Sequence, residues 1–437
     1  MQRTQLASLI AGICLAIDAQ AMTLLEAFNA AQAYDSQLAS ARGTRDAAFE
    51  KSTQGFAGLL PTVSATANVN RTNAHVTSTG VDRTIDYTQE VYQILLRQPI
   101  YNRNNLDVYE QSKLQVTAGE IQYEQARNDL ALRVAQAYFD VLAAQDVIAF
   151  IRAQKAAITE QLESAKRNFE VGTATITDTH EAQARFDLAI AQEIAAQNDL
   201  EVKRNAFAVV TGQLPPELNS LRSGVKLSSP EPSSMDKWVQ SAEAGNFGVV
   251  AQGLVAEIAK LEIRRNRSGH LPTLDAVAVG SQRKDLTFTS PTVTNTTALG
   301  FQLTIPLFAG FSTTSKIREA IALENQARAD LDTAKRTAMQ NARAAYLGVQ
   351  SGLSQIRALE AAEISSNSAL ESNKLGYDVG VRINIDVLNA QQQLYSTRRD
   401  LAKARYDTLV NGLRLKAAAG TLGEVDLAEL NALLDMR

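Results

Sequence analysis

Two stretches 208 residues apart, Glu170 to Ala182 (EVGTATITDTHEA) and Asp378 to Ala390 (DVGVRINIDVLNA), share one plan. In each, Val-Gly is followed by isoleucine and by an aspartate six residues beyond the glycine: Gly172 with Asp178, Gly380 with Asp386. Helical patterning flanks both, so each reads as a bend between two helices, where glycine supplies the φ > 0 that other residues resist. A bend repeated at one fixed separation means that the chain is two copies of one structural unit.

Composition agrees with a helical, extended design. Charge is almost balanced, 43 Lys and Arg against 47 Asp and Glu, so there is no basic excess to neutralise phosphates, which argues against a nucleic-acid partner. Aromatics are 6% and Trp238 is the single tryptophan. Such a chain suits closely packed long helices better than a compact globular core. At the start, Arg3, the apolar run from Leu6 to Ile17 and then Ala19-Gln20-Ala21 read as a secretory signal cut after Ala21. Cys14 would leave with it; Ile13 argues against a lipoprotein signal, which needs a small residue there. No later unbroken apolar run approaches ~20 residues, so no membrane-spanning helix is expected. Periplasm, outer membrane or medium remain.

Leu24 to about Phe56 is helical by pattern. After Leu59-Leu60-Pro61-Thr62 the period changes to two, with Val63, Ala65, Ala67 and Val69 on one face and Thr62, Ser64, Thr66, Asn68 and Asn70 on the other. A polar stretch, His75 to Asp86, leads to a second strand with Tyr92, Ile94 and Leu96 on one face. The second half repeats this: His270-Leu271-Pro272-Thr273, a strand from Leu274 to Gly280, a polar loop from Arg283 to Thr297, and a strand with Leu299, Phe301, Leu303 and Ile305 on one face. Four strands of roughly ten residues, apolar on one face only, fit tilted membrane strands. A soluble hairpin pair packed on helices is the plainer alternative. Four strands cannot close a barrel, and an open sheet edge is not tolerated in lipid. The missing strands must come from other copies of the chain; three copies give twelve.

Each strand pair is followed by long helical runs, Asn105 to about Asn168 and Asp178 to Val210, then Ser315 to about Lys374 and Asp386 to Ala419. Leu130, Val134, Ala137, Val141, Ala144, Ile148 and Ile151 alternate steps of four and three, a coiled-coil seam. A shift of 208 residues gives Ala338, Ala342, Ala345, Val349, Gly352, Ile356 and Leu359, smaller residues that permit closer approach. Some sixty residues at 1.5 Å each reach about 90 Å. The expected organisation is therefore a signal over 1–21, a first repeat over 22–213 with strands near 61–72 and 87–98, a Pro/Ser-rich connector over 214–235, a second repeat over 236–420 with strands near 273–283 and 297–306, and a short acidic tail over 421–437. The connector leads into a shorter helical segment from Trp238 to Arg264, expected to pack outside the long helices.

Catalytic chemistry is not visible. His180-Glu181 begins like a zinc motif, but Ala184 stands where the second histidine is needed; His75 and His270 fall in an expected loop and at a strand entry. Neither a phosphate-binding Gly-Lys-Ser/Thr loop nor a Gly-x-Ser-x-Gly elbow occurs. No enzyme, cofactor or metal is expected.

Taken together, the signal, two copies of strand, strand, long helix, bend and helix, the paired bend motifs, and Gly420-Thr421-Leu422-Gly423-Glu424 near the end resemble the TolC family over about Thr23 to Leu427. The resemblance implies a mainly α fold with membrane β: a homotrimer whose twelve-stranded outer-membrane barrel continues into a long α-helical barrel in the periplasm. It implies a passive exit duct for tripartite efflux and type I secretion, without cofactor, opened by a periplasmic adaptor protein and an inner-membrane transporter of the ABC or RND type. Carried over by position, Asp386 would line the periplasmic mouth as a ring of carboxylates, which attracts cations; Asn389 stands where the family has a second acidic ring. Thr177 and Asp178 on the first bend, and Tyr377 and Arg382 on the second, match the residues that hold the mouth shut, with Arg382 and Tyr377 expected to clasp Asp178. Gly172 and Gly380 match the tips that meet the adaptor. Without the resemblance, Arg382 reads as a solvated helix-end residue and Asp178 as a helix cap. The competing function is an exported coiled-coil adaptor or structural protein without a pore.

Overall fold

The computed structural model describes residues 21–222, 224–287 and 292–434; the signal assigned to 1–21 lies outside them except for Ala21. The elements, in order, are α1 (Leu24–Tyr34), α2 (Ser36–Ala57), β1 (Thr62–Ser78), β2 (Val81–Tyr101), α3 (Arg103–Glu170), α4 (Ile176–Thr211), α5 (Met235–Gly245), α6 (Phe247–Arg267), β3 (Thr273–Thr287), β4 (Thr292–Thr304), α7 (Ser312–Asp378), α8 (Asn384–Ala418) and α9 (Glu424–Asn431). They form two compact units. One gathers Ala41–Tyr123 and Phe247–Ala334; the other gathers the chain up to Ser40, Glu124–Asn246 and the chain from Lys335 onward.

The first of these units is built on one antiparallel sheet in the order β1-β2-β3-β4, so the pairing of β2 with β3 joins the two repeats. The strands run for 17, 21, 15 and 13 residues, longer than the hydropathy pattern suggests. The stretches expected as loops, His75 to Asp86 and Arg283 to Thr297, are largely strand; residues 288–291 lie outside the described residues. Alternation of polarity reports which face meets an apolar medium, and strand pairing persists beyond that band because the backbone ladder continues and polar side chains pair across it. Asn73 donates to Asp86 at 2.6 Å and Thr77 to Asp82 at 2.5 Å. The first hairpin turns on two residues, Thr79 and Gly80, with φ of 49° and 79°, the positive-φ pair that suits the twist of the flanking strands.

Register places the apolar residues in rows. Val63 pairs with Leu96, Leu96 with Ala278, and Ala278 with Leu299; Ala276 pairs with Phe301. One face of the sheet is thus apolar from β1 to β4, and it is uncovered: Leu299 is 85% exposed and Phe301 76%. On α6, Arg264 donates to the buried Asp107 of α3 at 2.6 Å and pairs with Glu110. Nearby, Gln111 donates to Glu262 at 2.9 Å.

The other unit is a helical bundle. Tyr138, Phe139, Phe28 and Phe207 are its largest fully buried side chains, and leucines such as Leu24, Leu130, Leu142 and Leu415 are buried with them. Phe139 stacks on Tyr406 of α8 and Tyr138 meets Phe207 of α4. The Tyr138 hydroxyl donates to the Met22 carbonyl at 2.8 Å. Among the described residues, α3 holds an eighteen-residue stretch with mean hydropathy 1.4, apolar enough to cross a membrane by length and composition. Scanning for unbroken apolar runs misses it, because charged residues interrupt the helix. Its burial of Val134, Tyr138, Val141 and Leu142 serves the bundle's own core. Most of the two coiled-coil seams is buried, and a Cβ on Gly352 of α7 would lie 2.2 Å from the Thr408 hydroxyl of α8, so these helices touch almost backbone to side chain.

Three expected segments are divided or ordered by side-chain bonds to the backbone, one local and two long-range. The helix expected from Leu24 to Phe56 breaks at Asp35, whose extended backbone ends α1 and whose carboxylate accepts from the Leu38 amide at 2.8 Å to cap α2. The segment from Trp238 to Arg264 breaks at Asn246, whose side chain donates to the Ala418 carbonyl at 3.0 Å. Trp238 packs with Tyr346, Leu415 and Ala419. The acidic tail folds into α9, which buries Leu427 and accepts the Leu24 amide on Asn431 at 3.2 Å.

Candidate functional site

The two bends have the same backbone. Gly172 and Gly380 have φ of 80° and 79°. The amides of Val171, Gly172, Thr173 and Ala174 donate to Arg167, Phe169, Asn168 and Asn168; those of Val379, Gly380, Val381 and Arg382 donate to Leu375, Tyr377, Gly376 and Gly376, the same four bonds moved by 208 residues. This pattern uses up the last carbonyls of α3 and α7 and requires a left-handed residue at the glycine. A Cβ on either glycine would meet nothing within 4 Å, so sterics with neighbours do not select glycine there; φ does. Apolar side chains fringe both tips in the open, Val171 at 73% and Val381 at 76% exposure, with Val379, Ile383 and Ile176 beside them.

Beyond the glycines the bends differ. In the first, Thr175 and Asp178 form a capping box: the Asp178 amide donates to the Thr175 hydroxyl at 3.3 Å, and the Thr175 amide and hydroxyl donate to the Asp178 carboxylate at 2.9 and 2.8 Å. In the second, Ile383 occupies the cap and offers no side-chain bond. Asp386 is therefore not consumed by its own helix end, and Arg382 sits 3.6 Å from its carboxylate. The isoleucines of the two motifs are also not equivalent, since a shift of 208 residues carries Ile176 onto Asn384.

Arg382, Asp386 and Asn389 share one surface hollow of about 530 Å³, with Ser366, Asn373 and Gln393. The clasp expected of Arg382 and Tyr377 on Asp178 is not formed within a protomer: Asp178 is held by Thr175, Arg382 by Asp386, and the Tyr377 hydroxyl accepts from Asn168 at 3.2 Å. Thr177 is exposed on the first turn of α4. Connections between the two hairpins run instead through residues the sequence reading passed over. Asn384, fully buried, donates to the Asp178 carbonyl at 3.1 Å and accepts from Gln161 at 2.5 Å. Arg185 of α4 donates to Asn389 at 3.0 Å and also bonds Gln392. The one signal for Asn384 was its departure from the repeat at Ile176; nothing in spacing or composition marks Arg185 or Gln161. His180 lies in α4, His75 in β1 and His270 in a short 3-10 turn. Among the described residues, no group of three or more His, Cys, Asp or Glu is arranged to hold a metal ion.

Comparison with known proteins agrees with this two-repeat architecture. The sequence profile described as outer membrane efflux protein matches residues 27–213 and 238–421, one block per repeat. The outer membrane protein TolC of Vibrio cholerae is 36% identical over 419 residues, 94% of each chain. The proteases secretion protein PrtF of Dickeya chrysanthemi is 32% identical over 430 residues, 95% of this chain and 91% of its own. Among solved structures, the outer membrane protein VceC of Vibrio cholerae superposes with a TM-score of 0.78 at 18% identity, covering 91% of this chain and 96% of that one.

Proposed function

We propose the following working arrangement for this chain, which belongs to the outer membrane efflux protein family and serves as an outer-membrane exit duct for efflux and type I secretion. Three copies assemble, each giving its four strands to a twelve-stranded barrel. The helical runs continue the duct into the periplasm, and the bends form its gated end. The observation that carries this reading is the sheet: its uncovered apolar face runs from β1 to β4, and both of those strands keep an unpaired edge. In lipid such an edge must be paired, and only other copies of the chain can pair it. An adaptor protein without a pore has no use for that face.

In this arrangement Asp386 and Asn389 ring the periplasmic mouth. Thr177, Asp178, Tyr377 and Arg382 supply the polar links that keep it closed, the Arg382 to Asp178 contact being made between neighbouring copies. Gly172 and Gly380, with their exposed valines, present the tips to the hairpin of a periplasmic adaptor, which joins the duct to an inner-membrane transporter. The segment over 1–21 directs export and is removed. No catalytic step or cofactor takes part.

The test is a pair of cysteines, one on β1 and one on β4, in a protein cut after Ala21 and so otherwise free of thiols. Oxidation in membranes yields covalent trimers, and the purified assembly conducts in a planar bilayer. Crosslinking that stops at dimers, or a folded assembly that carries no current, refutes the arrangement.

A further inference from the structure

We infer that Asn384 is a positioning residue that couples the two bends, and that Gln161 holds it in place. The inference rests on the reading of the bends as the gated end. Its structural core is an asymmetry between repeats. At position 176 the first bend carries an isoleucine that stands in the open, whereas at 384 the second bend carries an amide that is fully buried. The first bend closes its own helix with Thr175 and Asp178. The second bend has no such cap, and its first helical residue reaches across instead to the backbone of the first bend, at the Asp178 carbonyl.

The surroundings make this bond hard to give up. Asn384 is next to Ile385, which packs on an apolar cluster of Ile158, Leu162, Ala165, Ala182 and Leu388 contributed by α3, α4 and α8. An amide separated from both partners there has no water to turn to, and an unpaired buried polar group is costly. The other connections differ in kind. Arg382 with Asp386, and Arg185 with Asn389, are exposed pairs for which water substitutes readily. Asn384 therefore acts as a pivot that survives when exposed links open, and a displacement at one tip reaches the other through it.

The experiment is hydrogen exchange on the assembled full-length protein in detergent, read on amides 179–183 of the first bend, with resting conductance measured on the same preparations. Asn384→Ala removes both bonds. Asn384→Asp keeps the acceptor for Gln161 but loses the donor to Asp178. In both, exchange at the first bend rises roughly tenfold, the equivalent of one buried hydrogen bond. Gln161→Ala gives a smaller rise at the same amides, and Arg185→Ala leaves them unchanged. Faster exchange confined to 381–388 in the Asn384 variants, or wild-type exchange at 179–183 in Asn384→Asp, overturns the coupling. If Asn384→Ala does not assemble, Asn384→Asp and Gln161→Ala decide the question. If no preparation conducts, wild type included, the duct reading fails while exchange still decides the coupling.

Discussion

Arg382 and Asp386 lie four residues apart where the second bend, past Gly380, leads into α8, with guanidinium and carboxylate 3.6 Å from each other. Both are partly open to water, so the pair contributes little to stability. In the proposed arrangement its effect is on field: each Asp386 carboxylate at the mouth would be partly neutralised by the Arg382 guanidinium beside it, and Asn389 adds no charge. We expect Arg382→Ser to raise cation over anion permeability, measured from reversal potentials in a salt gradient, and Asp386→Asn to shift it toward anions. Loss of the links proposed for Arg382 also raises resting conductance in the serine variant. Unchanged reversal potentials in both variants place the constriction elsewhere.

Asp35 ends α1, caps α2 and accepts from both terminal guanidinium nitrogens of Arg133, Nη1 and Nη2, at 2.9 and 3.0 Å while almost wholly buried. Burial alone pushes its carboxyl up, but the Arg133 hydrogen bonds and the Leu38 amide outweigh this and hold it below the ordinary value. A depressed folded pKa stabilises the fold above the ordinary carboxylate range and is lost as pH falls through the folded value. Arg133→Ala leaves the carboxylate buried without its cation and is expected to cost about 3 kcal/mol. The loss should be read from the unfolding midpoint at pH 7 and should shrink at pH 3. A midpoint within about 0.5 kcal/mol of wild type at pH 7 contradicts the account.

Much of this architecture was legible in the sequence because repetition and period are long-range signals. The 208-residue spacing located both bends, period two located four strands, and steps of three and four located the seams. What escaped has local causes. The extended backbone at Asp35 goes with a capping bond from the Leu38 amide and that at Asn246 with a side-chain bond to the Ala418 carbonyl; hydropathy records neither, so a helical pattern runs through both positions unbroken. Strand ends escaped because backbone pairing continues where hydropathy no longer alternates. At the first bend, the sequence leaves Asp178 free either to cap its own helix or to meet Arg382; within a protomer the neighbouring Thr175 captures its carboxylate. Asn384 was visible only as a mismatch between repeats.

Gly352 of α7 packs directly against Thr408 of α8. A methyl group added at 352 would meet the Thr408 hydroxyl at 2.2 Å and its Cβ at 3.2 Å, contacts that force the helices apart or twist Thr408 off its rotamer. We expect Gly352→Ala to destabilise by about 1–3 kcal/mol despite its better helix propensity. Thr408→Ala, which removes the nearer atom, should restore part of that loss in the double variant. A double-variant cycle in thermal unfolding checks this, and strict additivity of the two changes argues against the contact.

Asp146 of α3 accepts a hydrogen bond from the Tyr406 hydroxyl of α8 at 2.7 Å. Burial pushes its carboxyl above the ordinary value, and the tyrosine bond only partly offsets this; the same burial and the adjacent carboxylate push the Tyr406 hydroxyl up as well. For an acid whose folded pKa is raised, the charged form is the one the fold disfavours. Its stability is greatest below the ordinary value of 3.8 and declines as pH rises from there through the raised folded value, with no further change above it. Asp146→Asn removes the charge and keeps an oxygen that accepts from Tyr406. We therefore expect the asparagine variant to unfold at a higher midpoint than wild type at pH 7, with the difference disappearing near pH 3, where wild type is neutral too. Tyr406→Phe provides the control: it leaves the carboxylate buried without its donor and should lower the midpoint at pH 7 more than at pH 3. A difference between Asp146→Asn and wild type that stays constant across this range assigns the effect to packing and refutes the role of charge.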